Sequence, residues 1–188
     1  MSVPQGIVGP VPPDRDPDDY DRLRRRVLWS MPTGLYILGS RSGERRNLMT
    51  CNWVVQMATS PKMVATGVER EAVTAGLIAE GGSFSVSILA RDDRSLVRKF
   101  VKPVDDVVVG DDGVATTMQG VKVIERGGGL PVVASSTGWL ACGLRHTLEL
   151  GSHTLFVGEV LDAGGTATGR DDHPEVLRME DTRMNYGG

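Results

Sequence analysis

From Pro32 onward the chain is cut into short apolar runs by Gly, Asp and Ser, and this punctuation limits the fold more than any other feature. Gly34-Leu35-Tyr36-Ile37-Leu38-Gly39 leads through an Arg41-Ser42-Gly43 turn to a strand at Asn47, and Met63 to Val68 follows a turn at Pro61. These three runs are expected to form a meander. Ala72 to Glu80 reads as a helix, with Val73, Leu77 and Ile78 on one face, while Phe84, Val86 and Ile88 alternate with serines as a strand would. Leu96, Val97, Phe100 and Val101 mark a second short helix. Beyond Pro103 come strand-like runs at Val107 to Val109, Val121 to Val123, Leu130 to Val133, Trp139 to Leu150 and His153 to Leu161. Many strands and few helices predict a mainly β protein built as an antiparallel barrel, not a doubly wound sheet.

Ahead of this region, Met1 to about Asp18 carries five prolines among Asp and Gly and offers no core face, so it is expected to be a disordered lead. Asp19 to Trp29 reads as a short helix with acids in its first turn, and its run of arginines as a solvated face. Residues 19–188 then make one domain. With 40% apolar and 24% charged residues the chain is globular, and a net charge of -3 gives no case for nucleic acid. No run approaches the roughly 18 apolar residues of a membrane span, and the N-terminus lacks a basic, apolar leader, so the expected address is the cytoplasm. Cys51 and Cys142 are the only thiols, too few for a disulfide framework.

Arg45 to Val64 combines a strand-like run with polar groups that a plain core strand would not carry. From Met49 to Met57 apolar and polar residues only partly alternate. Thr50, Cys51 and Asn52 are small, which would leave main-chain N–H and C=O groups free to meet the edge of a flat heterocycle. An amphipathic strand followed by a Ser-Pro turn accounts for the same residues equally well. Other chemistries are missing: there is no dinucleotide-binding glycine fingerprint, no P-loop and no nucleophile elbow. Cys142 and His146 are four apart but strand-like in setting, without a second ligand pair, so no metal is expected. Gly127-Gly128-Gly129 reads as a flexible loop, since no helix follows it.

Four segments, taken in order, resemble the flavin reductase-like family. They are Asn47-Leu48-Met49-Thr50-Cys51-Asn52-Trp53 with Ser60-Pro61, then Glu69-Arg70-Glu71-Ala72-Val73-Thr74, then Ser83 to Leu89, then Gly151 to Val160. The resemblance spans about Trp29 to Val160, and the closing Asp181 to Gly188 is similar to the tails of one branch. It implies an FMN-binding split barrel, usually a homodimer with its flavin sites near the subunit interface. Met49, Thr50, Cys51 and Asn52 would run along the isoalloxazine and ribityl, Gln56 and Ser60 would stand near the flavin, and Arg70 with Thr74 would approach the phosphate. His153 would position the nicotinamide. The implied activity is hydride transfer from NADH or NADPH to FMN, with FAD as the alternative flavin, and supply of reduced flavin to a monooxygenase partner. A non-catalytic FMN carrier of the flavoredoxin type, or a barrel turned to another ligand such as haem, fits the same resemblance.

The chemistry of the residues agrees, because Arg70 can bond phosphate oxygens and Thr74 lies in the first turns of a predicted helix. Read singly, Arg70 pairs with Glu69 or Glu71 and Thr74 is an ordinary helical residue. The chain departs from the family where Gly-Asp-His becomes Gly151-Ser152-His153, removing a carboxylate beside the histidine, and where Ser87 replaces an Asn. Trp53 and Trp139 read as core or interface. The cations between Arg91 and Lys102 read as a solvated face, with an adenylate or partner-docking role as the lesser alternative. His146 and His173 read as structural or solvated, and Tyr186 as an aromatic that folds back onto a neighbouring surface.

Overall fold

The computed structural model describes residues 10–166 and 174–182; the expectations for His173 and Tyr186 lie outside them. The first helix, α1 (Pro17–Trp29), begins two residues before the expected Asp19, because Asp16 caps it by accepting from the Asp19 N–H at 3.0 Å and proline suits the first helical position. None of its residues is buried.

A seven-stranded antiparallel sheet carries the molecule. Strands β1 (Tyr36–Ser42) and β2 (Arg45–Cys51) form a hairpin around Gly43, followed by β3 (Val54–Thr59), β4 (Lys62–Glu69), helix α2 (Val73–Gly81) and β5 (Ser83–Ile88). After α3 (Arg94–Val97) and a 3-10 turn over Arg98–Phe100 come β6 (Val107–Val109), β7 (Ala115–Met118), β8 (Val121–Arg126), β9 (Leu130–Val133), β10 (Gly138–Leu150) and β11 (His153–Gly165). The large sheet runs β2-β1-β5-β10-β11-β4-β3, and β6-β7-β8-β9 form a second, smaller sheet. The order corrects two expectations. The first three runs are not a meander: β4 leaves the β1–β2 hairpin and pairs with β11 and β3 at the far side. The stretch from Met49 to Met57 is not one strand, since it breaks at Asn52-Trp53 and supplies both edges of the sheet.

That break shapes the sheet. Two residues separate the end of one edge strand from the start of the other, so the sheet must curl until its edges meet at one corner. At that corner the Cys51 Sγ lies 3.5 Å from Thr66 Oγ1 and 3.8 Å from the Gly67 carbonyl of β4. No ladder joins β2 to β3 among the described residues. Inside the curl Leu38, Val64, Val68, Phe84, Val86 and Phe156 form one core, with Ala75 and Ile78 of α2 packed on it.

The second sheet covers β1 and β5 through a polar seam. The alternation of Phe84, Val86 and Ile88 with serines suggests a solvated face, yet Ser85 and Ser87 are fully buried. Ser85 Oγ donates to the Pro131 carbonyl at 2.6 Å, and the Val133 N–H donates to Ser87 Oγ at 3.1 Å. Gly39 is required at this seam, because a Cβ there would fall 2.2 Å from the Pro131 carbonyl oxygen. Beside it Glu125 accepts from Arg46 Nε at 2.6 Å, from Arg41 at 2.9 Å and from the Ala115 N–H at 3.0 Å. Strand β7, with no counterpart in the expected runs, presents Ala115 and Met118 to a second core shared with Leu35, Leu48, Phe100 and Val133. Residues 174–182 strap this core: Leu177 is buried and bonded through its main chain to Leu35 and Leu89.

Candidate functional site

The curl brings the end of β2, the Asn52-Trp53 crossover, the end of β4, the start of α2 and the β10–β11 turn to one corner. Asn47 is the hub beneath it. Its amide donates to Thr74 Oγ1 at 2.8 Å, and its carbonyl oxygen accepts from the Val104 N–H at 2.8 Å, tying α2 and the segment after α3 to β2. Thr50 Oγ1 donates to the Val97 carbonyl at 2.5 Å, tying β2 to the end of α3 as well. Met49 packs against the inner core and Cys51 belongs to it. The side chains of this strand are therefore committed inward. What it can present outward is its main chain, because β2 is an edge strand paired, among the described residues, with β1 alone.

Arg70 and α2 lie at the same corner. The Arg70 N–H donates to the Ser152 carbonyl at 3.1 Å and its guanidinium reaches the Gly151 carbonyl at 3.4 Å, so the side chain rests on the β10–β11 turn. No carboxylate lies within ion-pair distance of it among the described residues, and the pairing with Glu69 or Glu71 does not occur. Helix α2 starts after Ala72, with no side chain capping it and no acid in its first turn. No side chain within the helix offsets its positive end, and the acids next to it, Glu69 and Glu71, precede the cap. Thr74 is fully buried against Asn47, so this helix end offers main-chain groups more than the Thr74 hydroxyl.

His153 opens β11 opposite Glu69. Its Nδ1 lies 2.9 Å from Ser152 Oγ, and its ring meets the Trp53 indole at a centroid distance of 4.6 Å and an angle of 58°. Trp53 is held in turn, since its carbonyl accepts from the Gly67 N–H at 3.0 Å and its indole lies over Gly67. Read as core or interface from the sequence, Trp53 is 39% exposed. Asn52, beside it, is half-buried.

Gln56 and Ser60 stand apart from this cluster. Gln56 is exposed and donates to the Ala58 carbonyl at 3.3 Å, and Ser60 sits in the β3–β4 turn. The whole of β4, eight residues, separates Ser60 from Arg70, about 25 Å at the rise of an extended strand.

The remaining candidates carry no reactive chemistry. Burial pushes the Cys142 thiol up to about 12 and also raises that of Cys51, which keeps both protonated and unreactive. Cys142 faces the core while His146 is exposed, and no group of three metal-ligating side chains occurs among the described residues.

A curled antiparallel sheet with an open edge strand beside Arg70 and a helix start that no side chain caps defines a mainly β protein with main-chain groups and a guanidinium gathered at one corner. Comparison with known proteins makes the assignment narrower. The sequence model of the flavin reductase like domain matches residues 28–186, and the chain belongs to that family. It is 30% identical to the NADH-dependent FAD reductase of Streptomyces globisporus, over 81% of this chain and 81% of that one. It is also 30% identical to a high molecular weight rubredoxin of Moorella thermoacetica, over 73% of this chain but only 58% of that longer protein. The solved NADH:FAD oxidoreductase of Streptomyces globisporus superposes with a TM-score of 0.62 at 26% identity, covering 91% of this chain and 90% of that one. The same oxidoreductase has been solved in complex with NAD and FAD fragments and superposes with a TM-score of 0.63.

Proposed function

We propose that this protein is an NAD(P)H-dependent flavin reductase built on an FMN-binding split barrel. The observation that carries the reading is the meeting, at one corner, of an open edge strand, an unpaired arginine and an uncapped helix start. Those are the donors a flavin mononucleotide requires: main-chain groups for the pyrimidine edge and positive charge for the phosphate. The gap between the β2 and β3 edges, joined only at Asn52-Trp53, is the split of such a barrel. An elongated ligand lying along it would pass from Arg70 and the Val73-Thr74 turn, beside Met49 to Asn52, toward Gln56 and Ser60.

A bound flavin would supply the hydride acceptor, and NADH or NADPH the hydride. The chain's part is alignment. Arg70 and the first turn of α2 hold the anionic end. Main-chain N–H groups from Met49 to Asn52 stabilise negative charge that grows near the pyrimidine edge, in fixed positions that need no reorganisation. His153 orients the nicotinamide, and no protein group has to move a proton for the hydride step. FMN is the expected flavin because Arg70 and α2 answer one phosphate, with FAD as the alternative; the Streptomyces relative acts on FAD.

The outer face of the sheet supports a homodimer. Leu148 is level with Leu155 and Leu155 with Gly67, beneath Trp53, while Val55 is level with Ala65 and Val157. Along this face Val55, Leu148 and Leu150 are all more than half exposed, an apolar surface of the kind a second copy covers. Supply of reduced flavin to a monooxygenase is the proposed role, in the cytoplasm. No helix among the described residues is long and apolar enough to cross a membrane.

The test is an anaerobic titration of the flavin-loaded protein with NADH and then NADPH, followed by absorbance. Rapid bleaching by either is expected. Flavin that stays bound and oxidised with both would overturn the reductase and favour a carrier reduced by a protein partner.

A further inference from the structure

We propose that Trp53 is a positioning residue for the pyridine nucleotide, acting through His153; the inference rests on the reading of His153 as the nicotinamide-facing group. Three contacts carry it. Ser152 Oγ occupies the Nδ1 side of the imidazole at 2.9 Å, leaving Nε2 as the ring nitrogen that can meet a ligand. The Trp53 indole packs on the same ring in a tilted geometry that an aromatic pair favours, which restricts rotation about the histidine's last torsion. Trp53 is itself fixed, through its carbonyl to the Gly67 N–H and through its seat above a residue that has no side chain.

The arrangement joins two functions at one point. Trp53 belongs to the crossover that links the two sheet edges, next to the strand end proposed to face the flavin, and His153 belongs to the hairpin on which Arg70 rests. The indole therefore transmits the position of the flavin strand to the imidazole. A hydride step depends steeply on the registry of two stacked rings, so a small loss of order at His153 is felt in the rate.

The experiment is a double-mutant cycle on the flavin-loaded protein with Trp53→Ala, His153→Ala and the pair, plus Trp53→Phe as the conservative variant. Anaerobic stopped-flow reduction gives the NADH dissociation constant and the limiting rate, and a separate titration gives flavin affinity. Trp53→Ala is expected to lower the rate constant for reduction at subsaturating NADH by about fivefold to tenfold, with flavin affinity within about twofold, and Trp53→Phe to restore most of it. In the His153→Ala background, Trp53→Ala should add no further loss. Additive losses would overturn the proposal, as would a Phe variant as impaired as the Ala variant, or a loss confined to flavin binding. A His153→Ala protein with unchanged NADH affinity and reduction rate would instead remove the reading of His153 itself. Thermal midpoints of all variants show whether each is folded, and Trp53→Phe carries the comparison if Trp53→Ala is not.

Discussion

At the scale of single residues, the proposed chemistry turns on how Arg70 and the buried thiols are partnered. The Arg70 guanidinium donates to the Gly151 carbonyl, and among the described residues its charge is not paired with Glu69 or Glu71. Arg70→Ala should weaken FMN by about tenfold to a hundredfold, the worth of a charge-assisted hydrogen bond, while riboflavin, which has no phosphate, changes by less than about twofold. Calorimetric titration of both ligands checks this, and an equal loss for both would take Arg70 away from the phosphate. Cys142 gives a prediction of another kind. Its thiol rises from an ordinary value of 9.0 to about 12 because the core excludes the charged form. The unfolded chain loses that proton near pH 9 and the folded protein does not, so the contribution to stability is whole below pH 9 and is lost as the pH rises toward 12. Urea midpoints should therefore fall across this window. Cys142→Ala should lessen the fall without abolishing it, since Cys51 and Tyr36 are raised by burial in the same direction.

At the scale of elements, the second sheet is attached to the first by the polar seam and by Glu125. The Arg46 side chain is 2% exposed and that of Glu125 8%. Removing Glu125 takes away the close carboxylate of a buried guanidinium and leaves it Glu44 at 3.7 Å and the Glu44 and Gly113 carbonyls, and Glu125→Ala is expected to cost about 3 kcal/mol in urea denaturation. A cost below about 1 kcal/mol would mean that water reaches Arg46 readily. The same scale shows what local pattern conveys and what it does not. Helix α2 falls within a residue of its expected bounds because Val73, Leu77 and Ile78 mark a face and Gly82 adopts the left-handed φ of +65° that ends a helix. Strand β7 escapes such a reading: Ala115-Thr116-Thr117-Met118 has no apolar run, and only its ladder with β6 and β8 makes it a strand. Nothing beside Arg46 in the sequence marks it for burial; its ion-pair partner Glu125 arrives from the other sheet.

At the scale of the whole molecule, the apolar outer face of the large sheet bears on the proposed homodimer. Val55→Asp combined with Leu148→Asp should dissociate a homodimer, because two buried carboxylates would meet at an apolar contact. Sedimentation equilibrium at micromolar concentration checks the change from dimer to monomer. A wild-type monomer that still holds flavin tightly would remove the dimer from the reading.

The sequence by itself determined the local units: where strands and turns alternate, where α2 begins and ends, and the ordered segments by which the chain resembles its family. Those signals are short-range, set by side-chain period, by Gly and Pro, and by small residues in a strand. Only the tertiary structure decided that one apparent strand from Met49 to Met57 is two, placed at opposite edges of a curled sheet. The same curl set Trp53 against His153, turned Thr50, Cys51 and Thr74 inward, and left the β2 main chain as the outward surface. The physical reason is that a period of two fixes which face a residue occupies but not which strand it pairs with. Pairing is chosen by burial summed over the whole sheet, and the site exists only where that choice brings distant strand ends together.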